Sequence, residues 1–176
     1  FETAVKGIRS QNELAQESSE VADFWSMLQG FQTSGKCVDK AHYRIRYMKS
    51  FRPISVKEDI EFKEARPILY LNMAAVASLF NSRNMNATAN RSNWSTIMSY
   101  LKSHSSFLGL KQDRFTILLP SGLPDYSFEM VNNEQVKKVK VNRPKALCFD
   151  YLQLKEAFGL ELETEVIPDT QNPDDF

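Results

Sequence analysis

Apolar residues recur at helical spacing in the first part of the chain. Between residues 19 and 32 they form one stripe, which consists of Val21, Phe24, Trp25, Leu28 and Phe31. The spacing predicts an amphipathic helix that buries this stripe in the core and is capped by Ser18 or Ser19. Residues 1–17 predict a separate, weakly amphipathic helix, which we expect to continue from an upstream domain.

The spacing changes to strict alternation after residue 41. In residues 42–48, apolar side chains alternate with histidine and arginine. This alternation predicts a strand with one dry face and one wet, basic face that carries Arg44 and Arg46. Residues 60–63 alternate in the same way and predict its partner strand. The two arginines are either contacts for phosphate or charges that keep an exposed strand face soluble.

The middle of the chain predicts a strand and two helices. Residues 68–71 are apolar and lead into a small-residue helix at 73–80, for which Asn72 is the predicted cap. Residues 81–92 are rich in Asn and predict an exposed connection. The second helix is predicted at 93–104 with Ser92 as its cap. Its outer face carries short hydrogen-bonding side chains, which either recognise nucleic acid or are simply solvated.

A two-stranded ribbon is predicted after the second helix. Residues 115–118 predict a strand, and residues 120–125 and 132–133 have the composition of turns. The returning strand carries three lysines, namely Lys137, Lys138 and Lys140. The order helix, turn, helix and ribbon is typical of a winged helix-turn-helix. We therefore predict an α+β fold in which a winged-helix-like domain packs its helices on a small antiparallel sheet.

The C-terminal part predicts one more strand and one more helix. Residues 146–149 are apolar and predict a short buried strand that closes the sheet, followed by a helix that is capped by Asp150 and ended by Gly159. The predicted organisation is an N-terminal helix at 1–17, a single winged-helix-like domain at 18–165, and a disordered acidic tail at 166–176.

Composition restricts the class of protein. The 176 residues are 42% hydrophobic and 25% charged, which is typical of one globular core. The sequence has neither a long apolar run nor a signal-peptide pattern, so we expect a cytoplasmic protein that makes no membrane contact.

Two cysteines, Cys37 and Cys148, are predicted to be buried, reduced thiols. Three Asn-x-Ser/Thr triplets in the central connection are attributed to its composition.

Charge is distributed unevenly along the chain, although the net charge is zero. Residues 83–145 carry a net charge of +6, whereas residues 146–176 carry −7. The basic segment is suited to phosphate, and we expect its cations to share one exposed side. The candidate nucleic-acid-binding residues are Arg83, Arg91, Asn93, Ser95, Lys102, Lys111, Lys137, Lys138 and Lys140. Lysines on a ribbon also prevent edge-to-edge aggregation, so they do not by themselves establish binding.

The sequence offers little for catalysis. His42 and His104 have no nucleophile or carboxylate at a diagnostic spacing, and there is no glycine-rich phosphate loop. No His, Cys or acidic cluster has metal-ligand spacing, so we predict neither a metal nor another cofactor. The pattern favours a binding module over an enzyme.

Three segments resemble a known family. They are EVADFWSMLQ at 20–29, ARPILYLN at 65–72 and ALCFDY at 146–151. These segments look like the C-terminal region of primase-helicase proteins on bacterial mobile elements and prophages. The resemblance implies a non-catalytic appendage of a DNA replication enzyme, and it carries over no catalytic residue. The implied partners are DNA, the upstream helicase and primase domains of the same chain, and other subunits. A DNA-binding module and a protein-interaction or assembly domain both remain open.

Overall fold

The architecture is α+β, as predicted. The computed structural model describes residues 2–83 and 93–164, and the predictions for residues 84–92 and for the tail lie outside these ranges. The helices are α1 (Glu2–Thr33), α2 (Met73–Ser82), α3 (Trp94–Ser103) and α4 (Tyr151–Phe158). The strands are β1 (Tyr43–Phe51), β2 (Ile60–Asn72), β3 (Phe107–Gln112), β4 (Phe115–Thr116), β5 (Tyr126–Val131), β6 (Glu134–Val139), β7 (Val141–Asn142) and β8 (Lys145–Asp150).

Helix α1 is one continuous helix. The predicted break with a cap at Ser18 or Ser19 is wrong, because α1 runs through both serines. Ala15, Gln16 and Glu17 are good helix formers and no proline intervenes, so nothing in the local sequence stops the helix there. The predicted apolar stripe is confirmed in its main members, since Val21, Phe24, Trp25 and Leu28 are at most 2% exposed.

Four antiparallel strands form the main sheet in the order β1-β2-β8-β3. Strand β2 joins the two predicted strands at 60–63 and 68–71 into one. Pro67 immediately precedes Ile68, the first residue of β2 that pairs with β8. Strand β8 is buried as predicted, and it lies inside the sheet between β2 and β3. Strand β3 was not predicted, because its sequence FLGLKQ has no clean alternation and contains Gly109.

The main sheet separates two apolar clusters. On one side, Tyr43, Leu69 and Phe149 pack with residues of all four helices. On the other side, Phe115 covers a smaller cluster that includes Phe51 and Tyr70. The cysteines are free and buried as predicted, and they lie on opposite sides, with Cys37 in the helical cluster and Cys148 in the smaller one.

The predicted wet face of β1 is buried. Arg44 is 5% exposed, and the side chain of Arg46 is 12% exposed. Arg46 donates two hydrogen bonds to the carboxylate of Asp113, from Nε at 2.7 Å and from Nη2 at 2.8 Å. The segment that carries Asp113 and Phe115 folds over this face. The two arginines therefore belong to the interior and do not form a surface for phosphate.

Helix caps agree with the predictions in part. Asn72 caps α2 as predicted, since its side chain accepts a hydrogen bond from Ala75 N. Asn93, and not Ser92, caps α3, because its Oδ1 accepts from Thr96 N at 2.9 Å. Asp150 makes no side-chain cap bond and instead accepts from Arg66 at 2.7 Å. Gly159 ends α4 in the left-handed conformation, as predicted.

Candidate nucleic-acid interface

Strands β5 and β6 form a ribbon that stands out from the body of the protein. Residues 128–140 are all exposed. The predicted turn at Asn132 and Asn133 is confirmed, with φ values of 52° and 65°. Two consecutive left-handed residues are the signature of a type I′ turn, whose twist matches that of the flanking strands. The local sequence therefore specifies both the turn and the register of the ribbon.

The register assigns each side chain of the ribbon to one of two faces. Residues paired directly across an antiparallel ribbon point to the same face. One face, here called the aromatic face, consists of Tyr126, Phe128, Met130, Gln135, Lys137 and Val139. The other, called the mixed face, consists of Ser127, Glu129, Val131, Glu134, Val136 and Lys138.

The aromatic face combines a cation with exposed apolar side chains. Phe128 is 61% exposed and Met130 is 69% exposed. The Nζ of Lys137 lies 3.7 Å from the centroid of the Tyr126 ring. An ammonium has three N–H donors, so one that contacts a ring still has donors able to reach a phosphate. Among the described residues of the ribbon, no carboxylate lies on this face.

Carboxylates lie near the other two predicted lysines, Lys138 and Lys140. Lys138 shares this face with Glu129 and Glu134. At the base of the ribbon, the Nζ of Lys140 lies 3.3 Å from the Oδ2 of Asp125. The three predicted lysines are therefore not equivalent, and Lys137 is the one that is separated from the ribbon's acidic side chains.

Backbone hydrogen bonds hold the base of the ribbon to the body. Ile117 N donates to Lys140 O at 2.9 Å, and Asp125 N donates to Ile117 O at 2.9 Å. Thr116 N then donates to Lys40 O at 2.8 Å, just before the start of β1. The ribbon is thus anchored at one end and free along the rest of its length.

The other predicted site residues lie elsewhere. Ser95 and Lys102 are exposed on α3, which belongs to the helical side of the sheet. Asn93 is exposed too, but its Oδ1 is used by the cap of α3. Lys111 lies on the opposite side of the sheet, where its Nζ is 5.2 Å from the Phe51 ring centroid. The expected common face is therefore not formed by the whole set.

Arg83 has a structural contact. Its guanidinium stacks at 3.3 Å on the Phe80 ring, and its Nη1 donates to Phe80 O at 3.0 Å. Both contacts fix the arginine against the end of α2 and leave it half-buried. Arg91 lies outside the described residues.

A groove of about 500 Å³ lies between α2 and the segments around β4 and β7. Uncharged side chains line it, including His42, Ser78 and Leu118. Burial lowers the pKa of His42, and its Nδ1 accepts a hydrogen bond from Val38 N at 2.9 Å. Because Nδ1 accepts this hydrogen bond, the proton of the neutral imidazole is on Nε2. The groove therefore offers a neutral hydrogen-bond donor and no cation for phosphate.

Sequence reasoning identified the ribbon lysines but missed Tyr126, Phe128 and Met130 as candidate contacts. Their alternation was visible in the sequence, but exposed and buried strand faces have the same period. The pairing of Phe128 with Lys137 is the signal that reveals a shared face, and it requires the register that the Asn132-Asn133 turn imposes.

The described residues also bear on metal binding and on membrane spanning. The part of the chain that the structure describes holds no cluster of three or more His, Cys, Asp or Glu side chains able to bind a metal ion. Within residues 2–83 and 93–164, no helix combines the length and the apolar composition needed to cross a membrane. Comparisons of the chain with protein-family models, with curated proteins and with solved structures found no match in any of the three.

Proposed function

We propose that this chain is a non-catalytic DNA-binding module and that its ribbon is the contact surface. The observation that carries the proposal is the aromatic face, where Lys137 lies among exposed apolar side chains while the carboxylates of the ribbon lie on the mixed face. A surface of this kind places positive charge and flat apolar area together, which is the combination that nucleic acids bind. The resemblance to primase-helicase proteins of mobile elements and prophages supports a place in DNA replication.

A basic strand segment strengthens the electrostatic part of the proposal. From Lys137 to Lys145 the chain carries five cations and no acid, the others being Lys138, Lys140 and Arg143. Side chains of this type bind the phosphate backbone without reading base sequence. In a winged-helix-like arrangement, the ribbon would take the part of the wing.

The test is salt-dependent binding measured by fluorescence anisotropy. The native chain should bind single- or double-stranded DNA at low salt, and the logarithm of its affinity should fall linearly with the logarithm of salt concentration. Reversing one charge with Lys137→Glu should weaken binding and flatten this slope by about one for each phosphate contact that is lost.

Lys57→Glu is the matched control. Lys57 is exposed in the connection between β1 and β2, so it changes the net charge of the protein equally while leaving the ribbon intact. It should leave the salt slope unchanged. No detectable binding of the native chain to either form of DNA at low salt would remove the proposal.

A protein-assembly domain is the second candidate function. It is favoured by apolar exposure at the loop between β4 and β5, where Leu123 is 64% exposed and Leu119 is 42% exposed. Exposed apolar side chains of this size mark contact with another protein when they are contiguous. Size-exclusion chromatography with light scattering distinguishes this function, because an assembly domain forms oligomers that Leu123→Ser disrupts, whereas a DNA-binding monomer shows no such dependence.

A further inference from the structure

The aromatic face exposes large apolar side chains to solvent. Phe128 and Met130 are both more than half exposed, and they lie on a ribbon whose residues 128–140 are all exposed. A two-stranded ribbon without a partner layer is only marginally stable in water. Large apolar side chains exposed together on one face form a patch of the kind that marks a binding site.

We infer that the aromatic face binds single-stranded DNA by stacking a base on the exposed ring of Phe128. This inference rests on the proposed function and names the form of DNA that the ribbon takes. Every base has an apolar π-face, so an exposed ring binds bases without reading their identity. Lys137 lies on the same face, opposite Phe128, where its ammonium is placed to neutralise the phosphate next to a stacked base.

The exposed ring of Phe128 favours an unpaired strand. Phe128 is 61% exposed, so its ring is open to a base, whereas the partly buried ring of Tyr126 is occupied by the ammonium of Lys137. In a duplex, the faces of the bases are covered by their neighbours and are not available to a side chain.

Charge on the two faces favours nucleic acid over a protein partner. Glu129 and Glu134 lie on the mixed face, where they keep phosphates away, and the aromatic face has Lys137 as its charged side chain. The bound strand is therefore directed to one face of the ribbon. A protein partner for this face would instead be recognised by apolar burial, and it is one of the outcomes that the following experiment separates.

The experiment compares binding of a fluorescein-labelled oligothymidine and of a duplex of equal length to the full chain. Phe128→Leu keeps an apolar side chain but removes the ring. It should weaken oligothymidine binding by about 5- to 150-fold, which corresponds to the ~1–3 kcal/mol that base stacking contributes per base. The salt slope should stay unchanged because Lys137 is still present.

Val136→Ala is the matched control. Val136 lies on the mixed face of the same ribbon and is 43% exposed, so its truncation should leave oligothymidine affinity unchanged. Circular dichroism of each variant confirms that the ribbon changes do not unfold the body.

The failures are distinguishable. If the chain binds the duplex as tightly as oligothymidine and Phe128→Leu changes neither affinity, stacking is refuted while DNA binding by the ribbon stands. If the chain binds neither probe, the proposed function falls as well. If the native chain is an oligomer that Phe128→Leu converts to a monomer, a second copy of the chain occupies this face and the inference is overturned.

Discussion

The ion pair between Arg46 and Asp113 joins two charges that are almost fully removed from water. The side chains are 12% and 10% exposed, and both oxygens of the carboxylate accept hydrogen bonds from the guanidinium. Arg44 is buried beside them at 5% exposure, and burial together with the charge of Arg46 lowers its pKa. Asp113 therefore compensates a locally positive, poorly solvated environment.

Asp113→Asn removes the charge and keeps the shape of the side chain. Two guanidinium groups then lie close together without the opposing carboxylate. Breaking a buried ion pair by removing one partner costs about 3–5 kcal/mol. Because both side chains are far less than one third exposed, solvent screening reduces this figure little. In a chain of this length, the expected loss corresponds to a fall in Tm of about 6–20 °C.

A double-mutant cycle measured by urea denaturation tests this energy. Asp113→Asn and Arg46→Gln should each be strongly destabilising, and the double variant should lose much less than the sum of the two. Asp59→Asn is the matched control, because it breaks the exposed pair between Asp59 and Arg52, and it should cost far less than Asp113→Asn. The reasoning is refuted if Asp113→Asn and Asp59→Asn have equal effects on the free energy of unfolding.

Three further predictions concern the body of the protein. Gly109→Ala should lower the free energy of unfolding by about 2 kcal/mol or more, because Gly109 has φ of 140° and an added Cβ would lie 2.6 Å from the Cβ of Pro53. An unchanged midpoint in a denaturation assay would contradict this. Burial lowers the pKa of His42, so as the pH falls the unfolded chain is protonated at this residue before the folded one. The free energy of unfolding should therefore be insensitive to His42 above about pH 6.5 and fall as the pH drops below it. His42→Gln should flatten that part of a Tm-against-pH curve, and an unaltered curve would count against the assignment. Burial also raises the pKa of Cys37 to about 12 and raises that of Cys148, so a thiol reagent at neutral pH should label both only after denaturant is added, and rapid labelling of the native protein would be inconsistent with the structure.

Local signals in the sequence were enough to predict several elements. The span of α4, its end at Gly159, the cap at Asn72 and the Asn132-Asn133 turn all depend on residues a few positions apart. Each has a direct physical cause in hydrogen bonding of side chains to nearby backbone or in tolerance of positive φ. Local causes were not always sufficient, since the caps predicted at Ser18 or Ser19, at Ser92 and at Asp150 are not formed.

Long-range pairing accounts for the errors about which surfaces are exposed. Arg46 and Asp113 are 67 positions apart, and no local pattern indicates that the segment carrying Asp113 covers the charged face of β1. The alternation in β1 correctly gave the strand and its two faces, but it could not tell which faces are covered. In the same way, the charge of the basic segment was visible in the sequence, while the placement of Lys102 and Lys111 on opposite sides of the sheet depends on where α3 and β3 pack.

The inner position of β8 has a consequence for synthesis in the cell. Strands β2 and β3 each pair with β8, which comes later in the chain than both. When the polypeptide leaves the ribosome from its N-terminus, the hydrogen-bonding edges of β2 and β3 stay open until Lys145–Asp150 has emerged. Nascent molecules therefore pass through a stage in which two strand edges have unpaired backbone hydrogen-bonding groups. A chaperone that binds these edges until β8 inserts would raise the yield of native protein.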